Sequence, residues 1–188
     1  MLRITLILIC CLSFGCAYRF GLSERSLPGG YAQLAIPVFK NLTQEVGVEV
    51  PFTNALVREF ARSKVARISD RESAPMILEG RITNITTNPG AAVTNKPGQL
   101  TTLPNDAVLT TEYRLVVKTD MLLRRKSDEK IIWEGSFSNE IVYSAPRIGQ
   151  AVVNSANANY NQSVRFEKLS RLADEMMSEA HDRITENF

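Results

Sequence analysis

The chain has 188 residues, which sets an expectation of one domain, two at most. A 44% apolar and 22% charged composition is that of a globular protein, and a chain this long buries about 70% of its unfolded surface, enough for a core without staples. The 22 basic and 20 acidic residues leave a net charge of +2, which excludes a whole-protein field for nucleic acid, and one His with three Cys excludes most metal- and histidine-based enzymes.

Residues 1–16 read MLRITLILICCLSFGC. Arg3 precedes an eleven-residue, largely apolar run from Ile4 to Phe14. A spanning helix needs about 20 apolar residues, so the run has the length of a signal-peptide core instead. Gly15 directly before Cys16 resembles the lipobox of bacterial lipoproteins, although Ser13 stands where an aliphatic residue is usual. The resemblance implies diacylglycerol on the Cys16 thiol, then cleavage after residue 15 and an N-acyl chain on the new terminal amine. Cys10 and Cys11 leave with the signal, so the mature chain keeps no free thiol for a disulfide. No other cofactor is expected. In lipoproteins of this kind aspartate after the cysteine signals inner-membrane retention; Ala17 stands there, which implies the periplasmic face of a Gram-negative outer membrane.

Residues 16–30 form a polar leader that ends in the turn signal Pro28-Gly29-Gly30, and residues 31–188 are expected to form a single α/β domain. Tyr31–Phe39 alternates as a strand, with Pro37 confining it to an edge or ending it. Pro51–Lys64 places Phe52, Leu56 and Phe60 at i, i+4, i+8 on one helical face. A short extended segment follows at Val65–Ser69. Met76–Thr87 alternates as a strand, and Asn88–Ala107, with three prolines, reads as a loop of functional length. Val108–Arg124 has period two and forms a long strand. Residues 124–130 (RRKSDEK) are a charged hairpin tip, and Ile131–Tyr143 returns with Trp133, Phe137 and Ile141 inward. From Gln150 to Asn187, Phe166, Leu169, Leu172, Ala173, Met176, Ala180 and Ile184 recur at helical spacing. Two helices on one face of a mixed, mostly antiparallel four-stranded sheet, an α+β two-layer sandwich, satisfy this pattern.

Catalytic constellations are missing from the sequence. No Gly-x-Ser-x-Gly elbow, phosphate-binding loop or CxxC is present. His181 lies near a helix end, where a cation suits the dipole, and is expected to cap the helix or sit at the surface rather than to act in catalysis. Glu79 and Glu112 are the residue types of an acid–base pair, but their strand alternation predicts two solvent-facing carboxylates. The pair Met176-Met177 reads as helix core.

Several segments, in order, resemble the LptE family of lipopolysaccharide-assembly lipoproteins: Cys16-Ala17-Tyr18-Arg19-Phe20, Leu27-Pro28-Gly29-Gly30, Ala35-Ile36-Pro37-Val38-Phe39 with Asn41, Phe52-Thr53-Asn54-Ala55-Leu56 with Glu59-Phe60, Leu78-Glu79-Gly80, Thr111-Glu112-Tyr113-Arg114-Leu115 and Ile132-Trp133-Glu134. Ala17 replaces the usual glycine, and the Pro/Thr-rich loop from Asn88 is longer. The resemblance implies a non-enzymatic protein that plugs and supports an LptD-like β-barrel and contacts lipopolysaccharide. By position it points to Lys96 and Arg147 as glycolipid contacts, with Arg124 and Arg125 as further candidates by geometry. A second resemblance, to oligomeric secretion-channel lipoproteins related to the curli exporter, requires membrane-spanning hairpins; the charged alternation of Val108–Tyr143 fits a soluble sheet better.

Overall fold

The computed structural model describes residues 25–98, 104–144 and 158–186. In chain order they form β1 (Gln33–Ala35), β2 (Lys40–Asn41), α1 (Glu49–Ser63), β3 (Arg67–Ile68), β4 (Met76–Pro89), β5 (Ala92–Thr94), β6 (Val108–Thr110), β7 (Glu112–Arg125), β8 (Ile131–Ser144) and α2 (Ala158–Thr185). The main sheet runs β3-β1-β4-β7-β8, with β2 also pairing β4. The β1, β2 and β3 contacts are parallel, and β4-β7-β8 is antiparallel. The sandwich is as expected, but the sheet has six strands rather than four, because two-residue β2 and β3 join it.

The expected strand Tyr31–Phe39 is divided. Leu34 pairs with Met76, and the chain regains β4 only where Lys40 pairs with Arg81. Two features lift the intervening residues off the ladder. Pro37 has no amide to donate, and the Phe39 amide donates instead to Thr53 Oγ1 on α1 at 3.0 Å. Thr53 Oγ1 in turn donates to the Glu49 carbonyl at 2.6 Å, so one hydroxyl links sheet edge and helix.

Helix α1 begins two residues before the expected Pro51, since first-turn amides lack carbonyl partners and proline is tolerated there. It ends at Lys64, whose left-handed φ of 57° lets its amide reach the Phe60 carbonyl at 3.1 Å. Phe52, Leu56 and Phe60 are fully buried, as the i, i+4, i+8 spacing requires. On α2 the same holds for Leu169, Leu172, Ala173, Met176, Met177, Ala180 and Ile184, all at most 1% exposed.

Both helices cover one face of the sheet. Met76, Leu78 and Ile82 of β4, Leu115, Val117, Met121 and Leu123 of β7 and Phe137 of β8 join the helix residues in one cluster, with Trp133 and Ile141 packed at its border. Truncating a fully buried leucine in such a cluster costs about 2–5 kcal/mol. A bulge at Thr83 shifts the β4-β7 register between Ile82 and Asn84, and one at Ile132 shifts β7-β8.

The expected loop Asn88–Ala107 is partly strand. β4 continues to Pro89, paired with Tyr113, and Ala92–Thr94 pairs with Val108–Thr110 as a separate hairpin. The polar Thr-rich composition concealed this, although β-branched Thr suits a strand with an adequate partner. The expected single strand from Val108 accordingly breaks at Thr111, whose amide and hydroxyl both donate to the Ala91 carbonyl at 2.7 and 2.9 Å.

Candidate functional site

The antiparallel ladder gives the molecule two poles. One holds the start of β4 and the β7–β8 tip; the other holds the end of β4, the β5–β6 hairpin and the start of α2. A fourteen-residue strand separates them by on the order of 40 Å. Arg124 and Arg125 lie at the first pole, and Lys96, exposed just beyond β5, lies at the second. One headgroup therefore cannot bridge them. Cys16 and Arg147 lie outside the described residues.

The tip arginines are held in ion pairs. Arg124 donates to Glu129 at 2.9 Å and to Glu79 at 3.3 Å. Arg71 lies 3.6 Å from the other Glu79 oxygen. The Glu129 hydrogen bond and the Glu79 charge raise the Arg124 pKa. Arg125 grips Asp128 through Nε and Nη2 at 2.9 and 2.7 Å, and this fork lowers the Asp128 carboxyl to about 2. Lys126 Nζ donates to the Arg71 and Glu72 carbonyls, which ties the tip to the β3–β4 turn.

Glu79 departs from the expected exposure: its side chain is 13% exposed, because Arg124 and Arg71 cover it. Glu112 is exposed and pairs with Ser144 at the far pole, so the two glutamates never meet.

His181 also departs from expectation. It is 2% exposed, edge-on to Phe60 with centroids 4.8 Å apart, and its Nε2 lies 2.8 Å from Ser63 Oγ. Its Nδ1 lies 3.3 Å from Asp182 Oδ1. Nothing in the sequence pattern announces this Ser–His–Asp chain, since Ser63 and His181 are 118 positions apart. Its setting is that of a structural tie. Ser63 is the last residue of α1, where the helix dipole is negative and opposes an oxyanion. Asp182 is occupied by Arg25 at 2.7 Å. The chain fastens the C-terminal ends of both helices to each other and to the incoming leader.

The second pole holds an open cleft of about 620 Å³. Tyr113 and Tyr143 sit opposite each other on β7 and β8, with centroids 5.7 Å apart. From α2 come Gln162, Arg165, Phe166 and Leu169, and from the β2–α1 connection Gln44, Glu45 and Val46. That connection is shaped by Asn41: its Oδ1 accepts from the Thr43 amide at 2.9 Å and the Thr43 hydroxyl at 2.7 Å, and its Nδ2 donates to the Glu45 carbonyl and to Glu49 Oε2. The turn delivers Glu45 to Arg165, 2.6 Å away. Burial raises the Tyr143 pKa, against the nearby Arg165 charge that lowers it. No sequence motif announced this cleft, because its residues come from four separated segments. The opposed tyrosines were its one visible trace, had the register been known.

Among the described residues no helix is long and apolar enough to cross a membrane, and no group of three His, Cys, Asp or Glu side chains is placed to hold a metal.

No curated protein matches this sequence. Among solved structures, the PelC L103M dodecamer from Paraburkholderia phytofirmans is similar at 11% identity over 84% of this chain and 90% of that one, with a TM-score of 0.49. A minor lipoprotein from Acinetobacter baumannii is similar at 14% identity, covering 82% and 91%, with a TM-score of 0.45. The rare lipoprotein B from Shewanella oneidensis reaches 19% identity, covering 81% and 89%, with a TM-score of 0.33. With scores below 0.5, none of these likenesses bears on function. The family model for LptE, lipopolysaccharide-assembly, matches residues 31–187. That span contains every strand and both helices, and on it the chain belongs to the LptE family.

Proposed function

We propose that this protein is a lipid-anchored outer-membrane subunit that fills and supports an LptD-like β-barrel and takes part in lipopolysaccharide transport to the cell surface. The observation that carries the reading is the family match over residues 31–187. Physical chemistry is consistent with it. The lumen of a large barrel is polar and wet. The outward side of the helix layer is laced with ion pairs, Arg58 with Asp174, Arg171 with Glu175 and Arg183 with Glu179, which tolerate such surroundings. Acyl chains on Cys16 would hold the protein at the inner leaflet, each buried methylene contributing about 0.8 kcal/mol. The role is assembly rather than catalysis. Lys96 and Arg147 are proposed to meet lipid A phosphates by charge-assisted hydrogen bonds. Arg124 and Arg125 are the further candidates; both are engaged by carboxylates.

The secretion-channel alternative needs strands with one face free for lipid. Among the described residues, β4, β7 and β8 each turn their apolar side to the helices. The deciding experiment is co-purification of the carboxyl-terminally tagged protein from outer membranes in mild detergent. A one-to-one complex with a large β-barrel is the expected result. A homo-oligomeric ring would overturn the plug reading in favour of a channel.

A further inference from the structure

The cleft at the second pole has no part in the reading above, and its chemistry selects a class of ligand. Three kinds of surface meet in it. Tyr113, Tyr143 and Phe166 supply aromatic rings, Phe166 being 46% exposed, and Val46 beside them is 94% exposed. Gln44 and Gln162 supply planar amides. Glu45 and Arg165 supply both charges, neutralising each other at 2.6 Å. In addition, Arg165 Nε is buried without an acceptor. The guanidinium is therefore not fully satisfied by Glu45 alone.

These features exclude most ligand classes. A hydrocarbon would strip water from the Glu45–Arg165 pair and from the two amides without replacing its hydrogen bonds. A strong anion would be drawn to Arg165 but repelled by Glu45, and a cation the reverse. A neutral ligand with many hydroxyls and a weakly polar C–H face meets every requirement. Its C–H groups pack on the negative faces of the aromatic rings, and its hydroxyls donate to Glu45 and the amide oxygens while accepting from Arg165 and the amide nitrogens. We propose that this cleft is a saccharide-binding site, with Tyr113, Tyr143 and Phe166 as the stacking surface and Glu45, Arg165 and Gln162 as the hydroxyl-binding groups. The volume lies within the range of small-ligand sites. Arg165 and Asp182 are 17 residues apart on α2, so the cleft lies about 25 Å from the Arg25–Asp182 pair where the leader enters.

The cleft's chemistry does not depend on the barrel reading; only the choice of one probe does. Full-length protein in detergent is titrated calorimetrically with two neutral probes, a neutral O-chain oligosaccharide released from lipopolysaccharide and maltoheptaose. Saturable binding of at least one is expected, weakened tenfold or more by Phe166→Ala and by Arg165→Lys, which keeps the charge but removes the planar fork. Phe166 is half exposed, so its truncation leaves the thermal midpoint near wild type, a control read in parallel. Binding of neither probe, or unchanged affinity in both variants, overturns the proposal. Binding of maltoheptaose alone upholds the saccharide site while removing the lipopolysaccharide as its source, and barrel co-purification reports separately on the plug.

Discussion

Gly80 lies beneath the ring of Phe39: a Cβ at position 80 would fall 2.2 Å from Phe39 Cε1. The ring is 3% exposed and fixed from behind by Phe52, 6.3 Å away between centroids, so it has little room to yield. Gly80→Ala is expected to cost about 1–3 kcal/mol by overpacking. Urea unfolding of Gly80→Ala, Phe39→Leu and the double variant checks it. The double variant should recover part of the loss, and strict additivity would disprove the contact.

Glu79 and Glu129 share Arg124 but should differ in worth. Glu79 is 13% exposed and Glu129 66%. Glu79→Ala leaves a half-buried guanidinium short of a partner and is expected to cost about 1–3 kcal/mol. Glu129→Ala should cost less than about 1 kcal/mol, as exposed pairs do. Equal denaturation midpoints for the two variants would contradict this assignment.

The Arg125 fork lowers the Asp128 carboxyl from its ordinary value near 3.8 to about 2 in the folded state. A depressed folded pKa means the pair contributes above the unfolded value and is lost as pH falls through the folded one. The tip is therefore expected to loosen between about pH 4 and pH 2. A carboxyl NMR titration of Asp128 should show its midpoint near about 2, returning to the ordinary range in Arg125→Gln.

Charge removal should separate the four basic candidates. Lys96→Gln with Arg147→Gln is expected to weaken lipopolysaccharide binding several-fold without lowering the thermal midpoint. Arg124→Gln should instead lower stability, because it leaves the largely covered Glu79 with Arg71 alone at 3.6 Å. Unchanged glycolipid binding in the Lys96/Arg147 double variant would discard those two positions.

Cys16→Ser is expected to abolish incorporation of labelled fatty acid and, because cleavage follows diacylation, to leave the signal segment uncleaved. Continued labelling would place the lipid elsewhere.

Much of the fold was legible because burial imposes periodicity. Phe52, Leu56 and Phe60 declare α1, and the alternation from Tyr113 to Leu123 declares β7 without reference to anything distant. What was illegible depends on partners. Pro37 warned of an interrupted strand, but the bond from the Phe39 amide to Thr53 that completes the interruption joins residues 14 apart. Asn88-Pro89 has turn composition and is strand only because β7 lies alongside. Glu79 alternates like a surface residue and is covered only because Arg71 and Arg124 converge on it. The cleft is harder still, since its faces come from β7, β8, α2 and the Asn41 turn, and composition carries no trace of convergence.

The entry of the leader has a mechanical consequence. Arg25 clips to Asp182, and Leu27, fully buried, follows two residues later, before the short strand β1 with two rungs on each side. Under the proposed lipid anchor on Cys16, a tug transmitted to Arg25 would meet a surface ion pair first and a buried leucine second. Small forces would then be absorbed at the clip, and only a pull strong enough to extract Leu27 would load the sheet.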